Sequence, residues 1–212
     1  MHRRFVPLVA ALLCACGGTS KPSAELLVQP DWLLPSEYAD AALLYSQACD
    51  RGSSRGCAYL GYMYDNGRGV PQNIAKAVDL NLRACQQNES FACLYLGYLR
   101  QIGRGVSQDT AESARLFAKS CDGGNQEGCL LLGIMYKSGA HVAYDPDRAV
   151  NLFRMACSGG EALACASLGY MYENGEGVET DEVRALELFQ MACAKGNQIG
   201  CDAAVGLESS AK

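Results

Sequence analysis

Ten of the chain's 12 cysteines stand on one lattice. Cys49, Cys85, Cys121, Cys157 and Cys193 recur every 36 residues, as do Cys57, Cys93, Cys129, Cys165 and Cys201, and each pair encloses seven residues. Thiols in such an array could ligate a metal, run redox chemistry or cross-link the chain. Structural zinc sites use Cys-x2-4-Cys spacing, often with histidine. The only short spacing here is Cys14-x-Cys16, and His2 and His141 are the only histidines. No metal and no cofactor are expected. Redox pairs favour Cys-x-x-Cys at one reactive site, whereas five equivalent copies read as braces. An even set on a regular lattice in an exported chain reads as five disulfides.

Other chemistry is harder to find, and the catalytic residues, if any, are unknown from sequence. The only Ser-x-x-Lys is Ser209 to Lys212, in the last four residues and expected to lie beyond the last helix, where a tail cannot hold a nucleophile. A Ser-His-Asp triad would need His141, which nothing in the sequence orients. The repeated Gly-x-Gly loops follow no strand and precede no Lys-Ser/Thr, so they are not phosphate cradles. The formal charge of −5 argues against nucleic acid as a partner, since that binding rests on clustered Lys and Arg.

The N-terminus supplies the export argument. His2, Arg3 and Arg4 form a basic start and Phe5 to Leu13 a short apolar stretch, well below the ~20 apolar residues that span a bilayer. The run Leu13-Cys14-Ala15-Cys16-Gly17-Gly18 resembles a bacterial lipobox, with Leu at −3, Ala at −1 and Cys16 at +1. Cys14 at −2 is a departure, since a small or branched residue is usual there. Resemblance to lipoproteins implies a signal peptide over 1–15, lipidation of Cys16 and an outer-membrane or periplasmic location. Cleavage removes Cys14, lipid takes Cys16, and the ten lattice cysteines remain. Residues 16–35 read as a tether broken by Pro22, Pro30 and Pro35, in which Trp32, Leu33 and Leu34 are placed to pack on the first helix.

From Ser36 to Gly206 the chain repeats itself, with a short tail at 207–212. Leu60-Gly61, Leu96-Gly97, Leu132-Gly133 and Leu168-Gly169 recur at the same step, followed by Gly67, Gly103, Gly139 and Gly175. Cys57, Leu60, Gly61 and Tyr64 lie at i, i+3, i+4 and i+7, and Ala77, Leu80 and Ala84 at i, i+3 and i+7, so each unit predicts two helices. Gly67 and its copies suit left-handed helix ends, and Asp109, Asp145 and Asp181 suit N-caps, with Pro146 at a first helical position. The recurrent mid-helix glycines suggest a helix backbone passing too close for a β-carbon. Ser36 to Asp50 reads as a second helix alone, and Gln198 to Gly206 as a first helix alone with Ala204-Val205 in place of Leu-Gly. Such hairpins cannot bury their apolar faces singly and must stack. Each Cys-x7-Cys then joins a second helix to the next first helix across a tight turn, a loop closure worth about 2.5 kcal/mol in the chain-entropy model.

The run Leu-Gly-x-x-Tyr-x-x-Gly-x-Gly-Val, followed by a helix with Ala, Leu and Ala, resembles the Sel-one-like repeat, a variant of the tetratricopeptide repeat. The cysteine pairs look like those of the cysteine-rich Hcp-type proteins, often classed as β-lactamases. The resemblance implies an all-α, right-handed α-solenoid superhelix of disulfide-linked helix hairpins, the disulfides lying within hairpins. It implies a scaffold binding a peptide, a protein segment or a cell-wall fragment, or else slow β-lactam hydrolysis. His141 departs from the pattern, standing where Gly69, Gly105 and Gly177 stand elsewhere. Tetratricopeptide geometry places the groove on first-helix residues: Tyr62, Tyr98, Ile134 and Tyr170; Asn66, Ile102, Ser138 and Asn174; Ala58, Leu94, Leu130 and Ala166; and Arg55, Phe91, Glu127, Leu163 and Ile199. In this reading the tyrosines supply rigid contact area and the asparagines pair with a ligand's main chain. Packing of those rings against neighbouring helices, Tyr59 and Tyr95 included, is the competing expectation.

Overall fold

The computed structural model describes residues 35–139 and 141–210. The expected signal peptide, Cys16, the tether up to residue 34 and Lys212 lie outside them. All regular structure among the described residues is helical. Ten helices follow one another: α1 (Pro35–Asp50), α2 (Ser54–Asn66), α3 (Ile74–Gln86), α4 (Ser90–Ile102), α5 (Thr110–Asp122), α6 (Gln126–Ser138), α7 (Pro146–Ser158), α8 (Ala162–Asn174), α9 (Glu182–Ala194) and α10 (Gln198–Ser210). The even-numbered helices from α2 are the first helices of the repeats, and each packs chiefly on the helices before and after it. None is long and apolar enough to cross a membrane.

Short polar side chains start these helices. Asp109, Asp145 and Asp181 accept the backbone N–H three residues on, as expected, and Asn73 does the same in the first full repeat. Gly67, Gly103, Gly139 and Gly175 end the first helices at φ of 64 to 71°, where a β-carbon is unfavourable. The following loop then turns into the next helix.

At every corner between repeats a disulfide closes. Cys49–Cys57, Cys85–Cys93, Cys121–Cys129, Cys157–Cys165 and Cys193–Cys201 have Cα–Cα distances of 4.5 to 4.7 Å. Each ties the second helix of one repeat to the first helix of the next, as the seven-residue spacing implies. The intra-hairpin placement drawn from the family resemblance is corrected accordingly: no disulfide joins the two helices within a repeat, which are held by packing and by hydrogen bonds such as that from the Ser113 hydroxyl to the Gly97 carbonyl at 2.8 Å.

That packing has an unexpected centre. A β-carbon on Gly97, Gly133 or Gly169 would meet Cε1 of Phe117, Phe153 or Phe189 at 2.5, 2.7 and 2.6 Å, and all three rings are fully buried. In these repeats the glycine clears room for an aromatic ring, not for a passing backbone as expected. The first full repeat differs. Asn81 occupies the phenylalanine register, crowds Gly61 with its Nδ2, and leaves its buried Oδ1 without a partner, while the Ala77 carbonyl lies 3.1 Å from the glycine's β-position. In α1 the same register holds Tyr45, whose buried hydroxyl is also unpartnered.

The ends show what stacking does. Leu44 of α1 is 60% exposed, whereas its register-mates Leu80 and Leu188 are 2% exposed beneath a first helix of their own repeat. At the other end Val205 of α10 takes the glycine register and is exposed. Helix α10 runs on to Ser210, so Ser209 sits within a helix, not beyond it, and its hydroxyl donates to the Gly206 carbonyl at 2.8 Å.

Candidate binding face of the first helices

Side chains of consecutive first helices meet along one face, and the expected site residues divide there. Tyr62, Tyr98 and Tyr170 are half-buried, each with one ring edge packed. Tyr98 stands edge-on to Phe117 at 5.5 Å and Tyr170 to Phe189 at 4.8 Å. Lacking a phenylalanine at position 81, Tyr62 turns to the next repeat, 6.3 Å from Phe91 and 5.6 Å from Tyr95. Ile134, in the same register, is 40% exposed. The rings pack against neighbouring side chains and also leave surface exposed.

The other registers are less uniform. Asn66 and Asn174 donate from Nδ2 to the carbonyls of Tyr62 and Tyr170 at 2.8 and 2.9 Å, so these amides serve their own helix ends first. Between them Ile102 is 64% exposed, and the Ser138 hydroxyl donates to the Ile134 carbonyl at 2.9 Å. Ala58, Leu94, Leu130 and Ala166 do not line the face, because all four are buried in the core. The second helix of the same repeat and the next repeat close over them together: Ala58 packs with Ala84, Cys85 and Ala92, and Leu94 with Phe117 and Leu132. Periodicity along one helix cannot show this, since the rotation between repeats decides it.

Phe91 belongs to an aromatic run confined to the first repeats. It lies 5.2 Å from Tyr59, which lies 5.2 Å from Tyr45, and it stacks 6.2 Å from Tyr95. Tyr59 is buried, so it is a packing residue. The Tyr95 hydroxyl donates to the carboxylate of buried Asp65, which also receives Arg104 Nε at 2.9 Å. Burial, then the Asp65 hydrogen bond and charge, push the Tyr95 hydroxyl far up. This node was missed from sequence; Asp65 and Arg104 lie a repeat and a loop apart, off the lattice step.

Charge varies along the face. Arg55 Nε lies 3.9 Å from Glu89 Oε1 at the first boundary between full repeats. Further along, the Tyr98 hydroxyl donates to Glu127 Oε1 at 2.6 Å. Burial, that hydrogen bond and the charges of Glu127 and Glu161 raise the Tyr98 hydroxyl. Leu163 is half-buried against the core, and Ile199 is exposed on α10. His141 is exposed at a loop tip with φ of 65° and has no hydrogen-bond partner among the described residues.

The profile of the Sel1 repeat matches residues 54–89, 90–125, 126–161 and 162–197. The chain belongs to the Sel1 repeat family. Its solenoid resembles a Sel1 repeat protein from Oxalobacter formigenes with a TM-score of 0.76 at 30% identity, covering 80% of this chain and 50% of that one. A protective antigen of uropathogenic Escherichia coli displaying an SLR fold follows at 0.72 and 29%, covering 77% and 35%. Helicobacter pylori cysteine rich protein B gives 0.50 and 29%, covering 62% of this chain and 95% of that one. This chain thus spans about half of the Oxalobacter protein's length and about a third of the antigen's. No curated protein matches it. The Sel1 repeat fold is consistent with a protein-binding role.

Proposed function

We propose that this Sel1 repeat chain is an exported scaffold, anchored at the cell envelope through lipid on Cys16, whose first-helix face holds a peptide or protein segment. The observation that carries this reading is the strip of part-exposed rings Tyr62, Phe91, Tyr98 and Tyr170, each packed against a neighbouring ring, with Ile134 exposed in the same register. Rings held in this way offer contact area at little entropic cost. Five closed disulfides favour an oxidising compartment, which agrees with the lipobox-like run at Cys16.

The test uses a partner captured from envelope extract by the oxidised protein and then purified. Tyr98→Ala combined with Tyr170→Ala is expected to weaken its binding by about tenfold or more, as loss of aromatic anchors does. Unchanged affinity in a variant with native circular dichroism contradicts the reading. For the anchor, Cys16→Ser is expected to release the protein from membranes; retention there contradicts lipidation. A cell-wall fragment as ligand is tested by the same pair of variants. Slow β-lactam hydrolysis, the alternative implied by family resemblance, draws no support from His141 or Ser209 as they are placed.

A further inference from the structure

The middle of the first-helix face differs from its beginning in a way that points to one kind of partner. Tyr98 and Ile102 lie at i and i+4 on α4, and Glu127 and Ile134 at i and i+7 on α6, so each pair shares a helix face. The hydrogen bond from the Tyr98 hydroxyl to Glu127 brings the two faces side by side. Ile102 and Ile134 are among the exposed large apolar side chains, and here they fall on adjoining stripes. Isolated exposed aliphatics need no explanation, but neighbouring ones on a rigid face make a docking surface.

The second observation comes from comparing like positions. Arg55 and Glu89 form an ion pair at the first boundary between full repeats. Two repeats on, the same two positions hold Glu127 and Glu161. The carboxylate at the helix start is kept while the cation facing it is replaced by a second carboxylate. Neither Glu127 nor Glu161 makes an ion pair among the described residues. Glu161 makes no side-chain cap on α8 either, so its carboxylate is not committed to the helix start. Both negative charges act on Tyr98. At the first boundary the fold pairs its own cation with the carboxylate; at the third, Lys195 Nζ donates to the Gly160 carbonyl at 3.4 Å and forms an ion pair with neither glutamate.

Resting on the reading of this face as a docking groove, we infer that its middle takes a basic, aliphatic stretch of polypeptide. One Lys or Arg side chain lies against Glu127 and Glu161, and an aliphatic residue lies on Ile102 and Ile134. Charge complementarity of this kind sets specificity and encounter rate more than raw affinity. The partner is therefore distinguished by sign of charge before anything else.

The experiment uses the full, oxidised chain and two fluorescein-labelled decapeptides, one of leucine and lysine and one of leucine and glutamate, read by anisotropy. The lysine probe is expected to bind at least about tenfold more tightly, with the preference shrinking as salt rises. Glu127→Lys with Glu161→Lys is expected to reverse that preference. The milder Glu127→Gln with Glu161→Gln is expected to abolish it, which keeps the test decisive if the reversal misfolds. Equal binding of the two probes, binding of neither, or a lysine preference that survives both double variants overturns the inference. If a captured partner is lost by Tyr98→Ala with Tyr170→Ala yet ignores the glutamine pair, the groove stands and its basic occupant falls.

Discussion

Asp65 and Arg104 meet across the boundary between the first two full repeats, Oδ1 to Nε at 2.9 Å, with the carboxylate buried and the guanidinium part-exposed. Two repeats later the polarity is inverted: Lys137 Nζ lies 3.6 Å from Glu176 Oε2, both part-exposed. The pairs occupy equivalent positions, yet their burial makes them unequal. Removing Arg104 leaves a buried carboxylate with only Tyr95 to hold it, so Arg104→Ala is expected to cost about 3 kcal/mol. Lys137→Ala at the more open pair is expected to cost under about 1 kcal/mol. Urea titrations of the two variants check the contrast; equal losses would contradict it.

The unpartnered Tyr45 hydroxyl gives a pH-dependent expectation. Burial, and secondarily the neighbouring Tyr59, raise it from 10.0 to about 12. A proton held more tightly in the folded state stabilises the fold fully below pH 10, and the contribution is lost as pH rises toward 12. Tyr45→Phe is expected to flatten that alkaline loss. It is also expected to raise stability at neutral pH by about 1 kcal/mol, because it removes an unsatisfied buried group. Thermal melts of both proteins across that range decide it; an unchanged alkaline slope contradicts the assignment.

Loop geometry separates Gly177 from His141. A β-carbon on Gly177, at φ 69°, would stand 2.5 Å from the carbonyl carbon of Pro146, a backbone atom that cannot swing aside. His141 already bears a side chain at φ 65° and points to solvent. Gly177→Ala is therefore expected to destabilise by about 2 kcal/mol or more, and His141→Ala by less than about 0.5 kcal/mol. Denaturation midpoints provide the comparison.

The five disulfides differ in access. Both cysteines of Cys49–Cys57 and of Cys193–Cys201 are half-exposed, whereas Cys85, Cys93, Cys121, Cys129, Cys157 and Cys165 are buried. Thiol exchange needs approach of a thiolate to sulfur, so limited reduction is expected to open the two end bridges before the middle three. Stepwise alkylation with peptide mapping reads the order, and a middle bridge opening first contradicts it.

What was legible in the sequence follows from strict recurrence. The lattice of Cys57, Leu60, Gly61 and Tyr64 with its copies located the helices, and Gly67 and Asp109 with theirs located many of the ends. What repeated imperfectly was harder to see. The aromatic register of Phe117, Phe153 and Phe189 is interrupted by Asn81 and Tyr45, and it was the ring that explained the mid-helix glycines. Contacts set by rotation between repeats, such as Asp65 with Arg104 or the burial of Ala58 and Leu94, leave no mark at the repeat step. The Tyr62 ring, turned toward Phe91 because Asn81 is small, shows both effects at once.

Each second helix is bound covalently to the first helix that follows it, which fixes the face those first helices form. Mass-spectrometric mapping of the native protein, digested without reductant, tests this most directly. The expected result is five cross-linked peptides, Cys49–Cys57, Cys85–Cys93, Cys121–Cys129, Cys157–Cys165 and Cys193–Cys201, with no free thiol on the lattice. Free lattice thiols, or bridges linking cysteines of separate corners, would contradict it.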